Sequence, residues 1–210
     1  MADQLCTKAQ VKARLFPAGV SPDTSDDTLI DELIEEISAW VQDYTGRHFI
    51  AEIAATYTFD TVAGTVLRVP RGIRSVTTLQ VASTHQPDTG GTYVTVPASD
   101  YTLRPLAADL PEGWPATEIR ISRGTLTGTV SQFVNAQNGA KVTGNFAFAA
   151  IPRAIEAVAI DATVAAFQSR KNGASSVMGA DDMAMPPWSR FFGRGSPQRG
   201  TLDRYRYVPV

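Results

Sequence analysis

The sequence has a single cysteine, Cys6, which excludes an intrachain disulfide framework and a multi-cysteine zinc site and fits a reducing compartment. It has only two histidines, His48 and His85, with neither a His-x-x-x-His spacing nor a cysteine partner. A transition metal therefore lacks a ligand set, and a nucleophile lacks an obvious base. No serine stands in a Gly-x-Ser-x-Gly elbow. Long apolar runs are missing too: Ala154 to Phe167 comes nearest and is broken by Glu156, Asp161 and Thr163. Met1 to Gln10 is polar where a secretory signal needs an apolar stretch, so the expectation is a soluble protein made in the cytoplasm and kept there or packaged from it. Charge is scarce as well, at 19% of residues and a net −2, so the whole molecule is not an electrostatic binder of nucleic acid or acidic membranes.

What is present suffices for a core. The 210 residues are 43% hydrophobic and include nine Phe, six Tyr and three Trp, enough for one large domain or a domain with an inserted module. Thr7 followed by Gln10 predicts a capping box and a short helix to about Phe16. Ser25, Asp26 and Asp27 place a cap and negative charge before a long helix. Its stripe is Leu29, Ile30, Leu33, Ile34, Ile37, Trp40, Val41 and Tyr44, and Gly46 stops it. From residue 51 to 150 the period becomes alternating, with Tyr57 and Phe59, Leu67 and Val69, Leu79 and Val81, and Ile119 and Ile121 two apart, and Val142, Phe146 and Phe148 at even spacing. That predicts five to seven strands. Pro152 then opens an Ala-rich helix to about Lys171 whose apolar residues surround most of its circumference, as in a helix covered on several sides. The resulting expectation is α+β: a helical core made of a short N-terminal helix and a long antiparallel pair, a β-rich insert, and an extended C-terminal arm. The divisions fall at 1–50, 51–150, 151–172 and 173–210.

Candidate chemistry is thin. His48 beside Arg47 reads as a basic side chain meeting free helix-end carbonyls, and His85 as a turn residue. Glu35 and Glu36 point about 100° apart on a helix and read as a solvated face or a contact for a basic partner, not as an acid–base pair. Asp181 and Asp182 lack the spaced ligands of a calcium loop. Gly193, Arg194, Gly195 and Ser196 have neither the preceding strand nor the Lys of a phosphate loop and read as flexible linker. Charge is polarised, however: residues 1–60 carry −7 and residues 170–210 carry +4. The expectation is that assembly buries this polarity between neighbouring subunits or against a partner. In the tail, Trp188, Arg190, Phe191, Phe192, Arg194, Arg204, Tyr205, Arg206 and Tyr207 mix arginine with aromatics, as interfaces do. They are the candidate contact residues, on an arm expected to be mobile alone and ordered on a partner. The competing expectation is that the arm folds back on the β module.

The order of these elements resembles a known family. The phrase from Leu33 to Phe49, ending Tyr44-Thr45-Gly46-Arg47-His48-Phe49, the β-rich insert with Leu67-Arg68-Val69-Pro70 and Asp100-Tyr101-Thr102-Leu103, and the helix opening Ile151-Pro152-Arg153-Ala154 are similar to the head-to-tail connector, or adaptor, proteins of long-tailed bacteriophages and gene-transfer particles. The resemblance covers roughly residues 5 to 172. It implies a non-enzymatic virion protein without cofactor or metal, in a ring usually of twelve copies. That ring docks on the portal, meets a tail-side protein, and lets DNA pass without sequence-specific binding or any membrane contact. Residue by residue it transfers only to Gly46 at the helix stop and to Arg47 and Phe49 after it, in packing roles. A different class competes with it: a β-sandwich binding module, for carbohydrate or protein, using Trp114, Tyr93 and Tyr101 as stacking platforms.

Overall fold

A computed structural model of the chain describes residues 4–16, 24–83, 93–106, 109–111, 113–122, 130–171, 191–193 and 195–207. The chain divides into two compact units, one from residues 1–49 and 151–210, the other from 50–150.

The first unit is helical. Helix α1 (Lys8–Leu15) starts at the expected capping box: the Thr7 hydroxyl accepts from the Gln10 backbone N–H, and the Gln10 carboxamide accepts from the Thr7 N–H at 2.8 Å. Helix α2 (Asp27–Thr45) buries Ile30, Leu33, Ile34, Ile37 and Val41 along the predicted stripe. Its start differs from expectation. Asp26 occupies the cap position without making a capping bond, because its carboxylate is drawn to Lys171, while Asp27 pairs with Lys12. The end is as predicted, with Gly46 left-handed at φ 62°. An L side chain is strained at that angle, which is why glycine stops the helix here.

Helix α3 (Arg153–Lys171) begins one residue after Pro152, whose carbonyl accepts from the Ile155 and Glu156 N–H groups. It buries Ile155, Val158, Ala159, Ala162, Ala166 and Phe167. Small residues on one broad face let α1 and α2 both lie against it. Cys6 is buried in the same unit, and the Ser38 hydroxyl accepts from the Leu5 N–H at 3.0 Å.

Residues 173–210 were expected as an extended arm. Within the described part, Pro197–Tyr205 is instead a helix, α4. Ser196 caps it by accepting from the Arg199 N–H, and Pro197 occupies the first turn, where a missing N–H costs nothing. Ser196 is therefore a helix cap and not linker.

The second unit holds six strands in one antiparallel sheet: β1 (Glu52–Thr61), β2 (Val66–Ala82), β3 (Tyr93–Val96), β4 (Tyr101–Arg104), β5 (Ala116–Ile121) and β6 (Ala136–Phe146). The order is β1-β6-β2-β5-β4, and β3 also pairs with β2. β2 spans 17 residues and changes neighbours along its length, meeting β5 at Val66 to Ile73 and β3 at Leu79 to Ala82. Register shifts interrupt its ladder with β6 between Ile73 and Ser75 and between Val76 and Thr78. Such bulges bend a strand and increase its twist. At the second shift β6 and β2 nearly touch: a Cβ on Gly144 would stand 2.1 Å from the Ser75 carbonyl oxygen, so only glycine fits. Leu67, Val69, Leu79, Val81, Ile119, Ile121, Val142 and Phe146 form the core with Phe133, and Tyr57 and Phe59 pack against it. The described strands make a single sheet, so the two facing sheets of a β-sandwich are not what these residues build.

Candidate interface on the helical unit

The C-terminal end of α2 is where the candidate residues gather. Gly46 turns the chain so that Arg47 and Phe49 meet the segment after α4: Phe49 is fully buried and lies edge-on to Tyr205 at 6.0 Å. Arg47 donates through Nε to the Tyr205 carbonyl at 2.8 Å, and its guanidinium lies 5.7 Å from the centre of the Tyr207 ring. The Tyr207 N–H donates to the Thr45 carbonyl at 2.7 Å, closing one of the carbonyls that a helix end leaves open. Burial pulls the Arg47 pKa down, and the neighbouring Tyr207 opposes it.

One turn earlier, Tyr44 sits at the centre of a second group. Its hydroxyl donates to Asp203 Oδ1 at 2.5 Å and accepts from Arg199 Nε at 3.1 Å, while the guanidinium groups of Arg199 and Arg206 lie 5.6 and 5.8 Å from its ring centre. The Asp203 hydrogen bond, helped by burial and opposed by Arg199, raises the phenol pKa. Trp40 stacks on Tyr44 at 5.1 Å and on Phe192 at 4.2 Å, and Phe191 meets Phe192 edge-on. Leu202 is fully buried, and Phe192 nearly so at 4%.

Five of the candidate tail residues, Phe191, Phe192, Tyr205, Arg206 and Tyr207, are thus brought together on α2, joined by Gly46, Arg47 and Phe49. Among the described residues, 191–193 and 195–207 lie against α2, which is the surface the tail meets there, and not the β module. Arg204 is exposed on α4. Trp188, Arg190 and Arg194 lie outside the described residues, as do His85, Asp181 and Asp182. Sequence reasoning missed Trp40, Tyr44, Arg199 and Asp203 as partners of the tail. The available signal was Ser196-Pro197, an N-cap followed by the residue preferred at the first helical position.

The remaining candidates have local partners. His48 Nδ1 is 2.7 Å from Gln42 Oε1, a side-chain amide one turn back on α2. Glu36 meets Arg170 at 3.4 Å, and Glu35 is exposed. Tyr93 donates to the Asn138 carbonyl at 2.7 Å, Tyr101 packs on the sheet core, where burial raises its pKa, and Trp114 lies edge-on to Phe148 at 5.8 Å. A recess of about 560 Å³ in the β unit is lined by Asp60, Val62, Val66, Arg68, Glu118 and Arg120, mixed in charge and without a nucleophile–base pair. Among the described residues no three His, Cys, Asp or Glu side chains come together as a metal site, and no helix is long and apolar enough to cross a membrane. The chemistry on offer at α2 and α4 is arginine, carboxylate and aromatic stacking, which suits protein contacts.

No protein-family model matches the chain, and no curated protein does. Its fold, however, is found in solved structures. A chain in the neck of an empty gene transfer agent particle, computed with sixfold symmetry, is 17% identical with a TM-score of 0.52, over 96% of this chain and 89% of that one. A chain in the virion of the native gene transfer agent particle is similar to the same degree, again 17% identical with a TM-score of 0.52 over 96% and 89%. At this identity the likeness is one of fold, and it spans both the helical and the β unit.

Proposed function

We propose that the chain is a structural head-to-tail connector of a tailed phage or gene-transfer particle. It forms a ring of twelve copies that docks on the portal and extends the DNA channel toward the tail-side protein. The observation that carries this reading is the shared fold with a neck chain over 96% of the residues, in a neck computed with sixfold symmetry, of which twelve is a multiple. The order helix, β insert, helix supports it independently, because it is the order on which the sequence resemblance rests. The role is non-enzymatic and needs no cofactor: the helical unit supplies packing and contact surfaces, and DNA is enclosed without being read. The protein belongs to the virion neck after assembly in the host cytoplasm. Residues 186–210 reach the portal through side chains not already engaged on α2, Arg204 first among those described.

The test is imaging and mass measurement of the purified protein, alone and mixed with a portal. Rings capping the portal are the expected result. A monomer that ignores the portal and binds glycan would overturn the reading in favour of a binding module.

A further inference from the structure

We propose that the β unit carries a head-to-tail contact between copies of this chain, in which Ile53 on the β1 edge of one copy enters an apolar recess at the β4 edge of the next. The proposal rests on the ring reading and deepens it by naming the contact surface. β1 and β4 are the two ends of the strand order. Register places Glu52 opposite Phe146, Phe146 opposite Ile73, and Ile73 opposite Ala116, which is one transverse row across the sheet. β4 pairs with β5 as far as Arg104, opposite Glu118 and two residues from Ala116, and Pro105 and Leu106 follow β4 directly. The row therefore runs from Glu52 and Ile53 at the β1 edge to Ala116 on β5, beside the end of β4 where Pro105 and Leu106 follow.

Both ends of that row expose a large apolar side chain, Ile53 at 78% and Leu106 at 40%. Ile53 lies within the register shift between Glu52 and Ala55, where Ala54 has φ 52° and gives its N–H to Asn145 Oδ1 at 3.0 Å. Bulges of this kind re-aim a side chain, and here the result is an isoleucine turned to solvent. β1 has ten residues and contains neither lysine nor proline, the usual means of blunting an exposed edge.

At the far end of the row, Ile73, Leu103, Pro105, Leu110 and Trp114, with Arg74 beside them, line a mostly apolar recess of about 120 Å³. An apolar cavity of about 150 Å³ accepts a benzene ring, so this one is sized for a single branched aliphatic side chain. Charge plays no part in the match: the Glu52 carboxylate at the β1 end is already paired with Arg71 at 3.0 Å, and the Arg104 Nε at the β4 end is buried.

Knob and recess sit at opposite edges of one sheet, so a copy cannot fill its own recess. The contact joins unlike surfaces and propagates, closing into a ring when the rotation between copies allows.

Full-length wild type and Ile53→Glu are compared, alone and on a portal, by light-scattering mass and imaging. Ile53→Glu should keep the wild-type thermal midpoint, since the side chain is exposed, and lose the ring. Ile53→Cys combined with Leu106→Cys should give a ladder of covalent multimers under mild oxidation, while each single variant stops at dimers. A wild-type ring that survives Ile53→Glu, with no ladder from the double variant, overturns this contact and leaves the connector reading standing. Wild type that is monomeric both alone and on the portal overturns the ring reading and the contact with it. Open filaments that Ile53→Glu abolishes support the contact and overturn ring closure.

Discussion

Tyr44 joins more of the helical unit than its place in a hydrophobic stripe suggests, because its ring stacks on Trp40 while its hydroxyl holds Asp203 and Arg199. Tyr44→Phe keeps the ring and removes only the hydroxyl, leaving Asp203 without its donor. The expected loss is about 1 to 2 kcal/mol, read as a lower denaturant midpoint at unchanged slope. The phenol pKa is raised in the folded state, so the neutral form is favoured there. Its stabilisation is complete below the unfolded value of about 10 and is lost as pH rises through the folded value. Wild type should therefore lose stability in alkali more steeply than Tyr44→Phe. Cys6 is the second residue with a pH signature: burial, with a smaller push from Glu156 and opposed by a Thr163 hydrogen bond, raises its thiol to about 11. Only thiolate reacts, so a thiol reagent at neutral pH should leave native protein unlabelled and label it completely once unfolded. Rapid labelling of native protein would contradict the burial of Cys6.

At the scale of elements, α4 and the residues around it act as a clasp on α2. The clasp buries Leu202 and Phe192, stacks Phe192 on Trp40, takes a hydrogen bond from Arg47 Nε at the Tyr205 carbonyl, and gives one from the Tyr207 N–H to the Thr45 carbonyl. Ending the chain after residue 190 exposes Trp40, Tyr44 and Phe49 together. Burial of one large apolar side chain is worth about 1.5 to 3 kcal/mol, so the truncated protein should melt clearly below the full chain. A truncation that keeps the full midpoint would mean that the clasp contributes nothing to stability. The arm was legible as a contact element, since five aromatics in an unpatterned segment need burial, but not as a helix. Gly200 lowers helix propensity there, and a nine-residue helix with glycine inside it is held by its packing on Trp40 and Tyr44 and not by propensity.

On the scale of the whole molecule, the charge asymmetry finds an outlet inside one subunit. Lys8 and Lys12 on α1, and Arg170 and Lys171 at the end of α3, pair with Asp31, Asp27, Glu36 and Asp26. Two of these pairs, Glu36 with Arg170 and Asp26 with Lys171, join the acidic head to the root of the basic tail within one chain, so those charges are not left over for a neighbouring subunit or a partner. Such pairs are partly exposed and screened by salt. The isolated protein should melt lower at high ionic strength than at low, and an unchanged midpoint would make the pairs energetically neutral. Lys12 and Lys8 hold the Asp27 carboxyl below its usual pKa, so that contribution is present at neutral pH and fades as pH falls into the acid range.

The sequence by itself determined the elements whose signals are local. The capping box at Thr7, the α2 stripe and its Gly46 stop, the start of α3 near Pro152, and the alternation that buries Leu67, Val69, Leu79, Val81, Ile119 and Ile121 depend on neighbours within a turn or a strand. Only the tertiary structure decided what depends on distant partners. The pairing of β1 with β6 and of β2 with three different strands, the choice of α2 as the surface under the tail, and the placing of Glu52 and Ala116 in one row across the sheet join residues up to about 160 positions apart. Local propensity carries no information about such pairings, because their free energy comes from burial and register and exists only once the chain has closed. Asp26 shows the difference at a single residue: local rules make it a cap, and Lys171, 145 positions later, takes its carboxylate instead.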